Sequence, residues 1–146
     1  MTTINGCRLL VVPVPGSASV AVRSFVRLQW GSQAGVCGEH HLLEHVLITG
    51  GWRPCGAAPC SNLLAERSIS TNASVTAGLA TYKAGGPVDE LGTMLDFITG
   101  ITLDPIIRAG AVQREKPAVR AEMKPKLARP STAFALAASD RVYTCR

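Results

Sequence analysis

The sequence predicts an α+β domain in which an antiparallel-rich mixed sheet packs against helices. Three observations carry the prediction. Short β-rich runs bounded by Pro and Gly recur through the first half of the chain. Stretches with apolar residues at helical spacing lie between and after them. Apolar content of 47% over 146 residues supplies one core, so residues 1–146 read as a single domain. A chain of this length buries about two thirds of its unfolded surface.

The elements follow in order. Cys7 to Val12 is apolar and β-branched, stopped by Pro13 and Pro15, and Ser19 to Trp30 resumes after Gly16. The two read as paired strands joined by a Pro/Gly turn. Gly31 to Gly38 reads as a loop, and a helix spans Glu39 to Thr49, ended by Gly50 and Gly51. After an irregular stretch, Ser61 caps a short helix to Arg67. Ile69 to Val75 and Gly78 to Ala84 are two further strands around a turn at Thr76 and Ala77. Pro87, with Asp89 and Glu90 behind it, opens a helix to Thr102. Leu91, Met94, Leu95, Ile98 and Ile101 form the apolar stripe of that helix, a core face rather than a cofactor site. Past Leu103-Asp104-Pro105, one helix spans Ile106 to Lys124 and an Ala-rich one spans Pro130 to Tyr143. Pro117 removes a helical hydrogen bond at a cost of ~3 kcal/mol, so a break or kink is expected near Lys116.

Composition excludes several classes of function. No apolar run approaches the ~18 residues that cross a bilayer. No secretory leader pattern opens the chain, so an intracellular location, cytoplasmic or mitochondrial matrix, is expected, and the sequon at Asn72 stays unmodified. Arg8, Arg23 and Arg27 in an acid-free N-terminal stretch suggest a transit peptide, but Ser19 to Leu28 partly alternates as a strand does. The five cysteines are odd in number and irregularly spaced, which argues against a disulfide framework and for a reducing compartment. Cys55 and Cys60 lack the second pair that a structural metal site needs. The net charge of +5 concentrates between Arg108 and Arg129. That stretch has no aromatic residue on which bases could stack, so no nucleic-acid partner is expected.

The chemistry lies in Gly38-Glu39-His40-His41-Leu42-Leu43-Glu44-His45-Val46-Leu47-Ile48. Wound at 100° per residue, this helix carries His41, Glu44, His45 and Ile48 on one side and Leu42, Leu43, Val46 and Leu47 on the other. Histidines one turn apart can both reach a zinc ion at about 2.0 to 2.1 Å. Glu44 between them can take a proton from a zinc-bound water. His-x-x-Glu-His is the inverted zinc motif. A third ligand is required, and Glu115 and Glu122, two helical turns apart, are both candidates.

These residues resemble the pitrilysin/insulinase family of zinc metallopeptidases, which includes the mitochondrial processing peptidases. The family's third ligand is a glutamate some seventy-odd residues beyond the second histidine, and Glu122 lies 77 residues beyond His45. Ile4 to Leu9, Gly31-Ser32, Asn72-Ala73 and Thr81-Tyr82 also match, in order. The resemblance implies that His41, His45 and Glu122 hold zinc, that Glu44 is catalytic and that Glu115 is the family's accessory acid. It implies further that Asn72 and Ala73 sit on an edge strand that pairs with extended peptide or protein substrate. The match begins at Ile4, leaving no room for a removable leader. Arg67-Ser68 and Val75 depart from the pattern. The chain covers only the N-terminal, zinc-bearing part of the family's architecture, so a truncated form of the pitrilysin-type domain is expected, completed by a second homologous domain or subunit. The alternative expectation is a non-catalytic structural or assembly subunit derived from the same family.

Overall fold

The computed structural model describes residues 2–4, 7–28, 38–76, 78–131 and 134, apart from the side chains of residues 2, 4, 126 and 127. An α+β architecture is present. Strands β3 (Ser19–Arg27), β4 (Ser70–Thr76) and β5 (Leu79–Pro87) form an antiparallel sheet in the order β3-β5-β4. The expected mixture of strand directions does not occur among the described residues. Alternation sorts the side chains: Ala80, Tyr82 and Ala84 are buried, with Val20, Val22, Val26, Ala73 and Val75 packed against the same core.

That inner face carries the helices. Helix α3 (Leu91–Leu103) lies on β3 and β5, while α1 (Glu39–Gly50) lies on β4, beside the short α2 (Cys60–Ala65). Helix α4 (Ala109–Leu127) packs on α1. Met94, Phe97 and Ile101 are fully buried, each contributing about 1.5 to 3 kcal/mol by its burial. Leu91 and Leu95 from the predicted stripe are partly exposed, and Phe97 takes their place in the core. Phe97 meets Trp52 edge to face at 5.6 Å, and the Trp52 indole donates to Asp96 at 3.1 Å. Gly100 permits this approach, because a Cβ there would lie 2.7 Å from Trp52 Cδ1.

Several expectations need correction. Strand β2 (Cys7–Leu9) pairs with β1 (Thr2–Ile4), not with β3. Residues 10–14 form no strand, since Pro13 and Pro15 cannot donate to a ladder, and Leu10, Val11, Val12 and Val14 stay exposed. Helix α2 starts at Cys60 without a side-chain cap, so Ser61 is no cap. Pro87 precedes a short 3₁₀ turn (Val88–Glu90) ahead of α3. The last predicted helix falls almost wholly outside the described residues, as do Trp30 and most of the loop before α1.

Cys55 and Cys60 are joined by a disulfide, with Cα atoms 5.0 Å apart. Counting cysteines weighed a framework of several bridges and overlooked one short-range bridge. The bond leaves neither sulfur free to bind metal, and the cysteines no longer support a reducing compartment. Among the described residues, no helix is long and apolar enough to cross a membrane.

Candidate metal centre

Helix α1 starts after Gly38, whose φ of 77° lies in the left-handed region that glycine tolerates. A Cβ there would also lie 2.6 Å from Met123 Sδ, so Gly38 lets α4 lie close to the start of α1. At the other end a Cβ on Gly50 would stand 3.0 Å from that of Ala111. The Arg108 guanidinium donates to the Gly50 carbonyl, a cation placed at the negative end of α1. Val46 and Leu47 are buried beneath the helix, while Leu43 is more exposed than its place on the wheel suggests.

Helix α4 supplies the carboxylates. It is one continuous helix through both Pro117 and Pro125, so the break expected near Lys116 does not occur. The physical reason is the face it buries: Ala111 and Val119 are buried and Glu115 and Met123 are half-buried, all at helical spacing, whereas Pro117 is exposed. Packing on that face offsets the lost hydrogen bond. Two turns of continuous helix then bring both Glu115 and Glu122 to α1.

The arrangement around the histidines is specific. His41 Nε2 lies 3.4 Å and His45 Nε2 3.8 Å from the same oxygen, Glu122 Oε2. The three ligand atoms lie within 4.8 Å of one another. Donors held tetrahedrally around an ion at 2.0 to 2.1 Å are separated by about 3.3 Å, so the two His–Glu distances are close to what coordination requires. On its other side His45 Nδ1 meets Glu115 Oε2 at 3.2 Å. A carboxylate only accepts, so Nδ1 donates to Glu115, and with an ion at the cluster Nε2 would present its lone pair to it. Carboxylate support of this kind is what metal-binding histidines receive. His41, His45 and Glu122 can hold a metal ion, and Glu115 orients one ligand without being one.

Glu44 is half-buried on α1, and its charge acts on Tyr82 of β5. Burial first and Glu44 second push the Tyr82 phenol up to about 12. Tyr82 stands in register between Ser24 and Ala73, on the sheet face that α1 covers. Asn72 and Ala73 lie on β4, a strand hydrogen-bonded on one side only among the described residues. Alternation separates them: Ala73 packs on the core and Asn72 is exposed on the face away from the helices. His40 takes no part in the cluster.

Sequence reasoning assigned no role to Arg108 or Met123, which fix how α4 seats on α1. Their signal is three-dimensional, since neither belongs to a local motif. No known protein-family model matches the chain, and no curated protein matches it either.

Proposed function

We propose that the chain is the zinc-bearing module of a metalloendopeptidase of the pitrilysin/insulinase type. One observation carries the reading: two imidazoles and a distant carboxylate converge, and a second carboxylate stands at Nδ1 of His45. Two nitrogens and one oxygen form a donor set suited to catalytic zinc, leaving a fourth position open. Zinc bound there would acidify a coordinated water and polarise a scissile carbonyl. Glu44, one residue before His45, accepts the proton of the attacking water and returns it to the leaving amine. Glu115 keeps the His45 ring in place throughout. The edge of β4 that no described strand pairs offers backbone N–H and C=O groups to an extended peptide, with Asn72 and Ala73 at its centre.

Zinc analysis together with a peptide-cleavage assay tests the proposal. The expected result is about one zinc per chain and hydrolysis that falls by about 10² to 10⁴ in Glu44→Gln while zinc remains bound. Stoichiometric zinc with no cleavage by the wild type, even with candidate partner chains added, would defeat it. In that event the second reading, a non-catalytic assembly subunit of the same descent, takes over. The exposure of Glu122, 49% of its side chain, favours that alternative, because a site open to water positions substrate poorly until a second domain or subunit covers it.

A further inference from the structure

The geometry points to a second binding site, for the acidic side chains of a peptide, on the sheet face opposite the helices. This deepens the proposed function and rests on β4 being the strand that pairs with peptide. Register places Arg23 directly opposite Lys83, and Lys83 directly opposite Asn72, in one row across all three strands. Like charges facing each other across a strand pair are destabilising. Neither cation forms an ion pair with a described carboxylate. Two unneutralised cations in register therefore await an anion that the described residues do not provide.

The row borders a shallow, open groove of about 330 Å³. Ala21 and Gly85 keep its floor low, Arg23 and Lys83 supply charge, and Ser70 and Asn72 supply polar groups along the β4 side. A peptide added to the outer edge of β4 directs every second side chain onto this face, beside Ser70 and Asn72. Lys83 stands one strand further in, two strand spacings or about 10 Å from such a peptide, a gap that a Lys side chain and a Glu side chain span together. Arg23 behind it has the planar fork that suits a carboxylate. Nucleic acid is less well matched, because Phe25 is the only exposed aromatic on this face among the described residues, a single stacking platform.

The test is fluorescence anisotropy with the full-length Glu44→Gln chain in excess zinc. Three labelled peptides of about ten residues differ only in carrying Glu, Gln or Lys at alternate positions, and a thymidine oligonucleotide of similar length serves as the other anion. Two exposed ion pairs are worth up to about five-fold each. The Glu peptide should bind about ten-fold tighter than the Gln peptide, with the margin shrinking as salt is added. R23E or K83E should bring the two peptides to parity, and R23E should not lower the thermal midpoint because it relieves the like-charge pair. Equal affinity for Glu and Gln peptides, no peptide binding, or tighter binding of the oligonucleotide overturns the inference. A charge preference without wild-type cleavage would keep this site and remove the peptidase, whereas cleavage without a charge preference would do the reverse.

Discussion

His45 engages carboxylates through both ring nitrogens, Nδ1 toward Glu115 and Nε2 toward Glu122. The two glutamates therefore separate by substitution. Glu115→Gln should weaken zinc binding about 10- to 100-fold in a chelator competition, the usual cost of losing a ligand's supporting partner. Glu122→Ala should weaken it further, since a donor atom is lost. Tyr82 gives a prediction of another kind. Its phenol is almost wholly buried and its pKa stands near 12, against about 10 in the unfolded chain. The folded state thus favours the neutral form, a contribution of about 2 to 3 kcal/mol that is fully present below pH ~10 and lost as pH rises through about 12. Denaturant midpoints of the metal-free chain should fall over that interval, and Tyr82→Phe should flatten the fall. His41, Glu44 and His45 were legible because helical spacing is local. The different duties of Glu115 and Glu122 were not, because two glutamates seven positions apart on one helix face look alike until the facing histidines are in place.

Helix α4 shows how packing overrides propensity. Pro117 argued for a break between the two glutamates, yet the helix continues because its buried face holds it on α1. Pro117→Ala should restore the missing hydrogen bond without disturbing that face, raising stability by about 2 kcal/mol in a thermal melt with zinc affinity kept. The Cys55–Cys60 bridge closes a short loop between α1 and α2. In the chain-entropy account a loop of that size is worth about 2 kcal/mol, so Cys60→Ala or a reductant should lower the denaturation midpoint accordingly. Helix boundaries were legible to within a few residues from glycines, prolines and apolar period. The partner of β2 was missed because the Asn-Gly dipeptide at residues 5 and 6, a strong hairpin signal, was passed over in favour of the longer run toward Val12.

At the scale of the whole molecule, the fold class could be read from alternating and helical patterns, but the uncovered surfaces could not. Period assigns Arg23 and Lys83 to outward positions on separate strands, and only the register makes them neighbours. The candidate metal cluster has the same long-range character, for α2, β4, β5 and α3 lie between His41 and Glu122 in the chain. Closing so long a stretch of chain costs entropy, which disfavours early assembly of the site. An ion captured late would stabilise the native state and not the barrier crossing that precedes it. In stopped-flow experiments added zinc should leave the refolding limb of the chevron where it is and slow the unfolding limb, making the ion a brake on opening and not a nucleus for collapse.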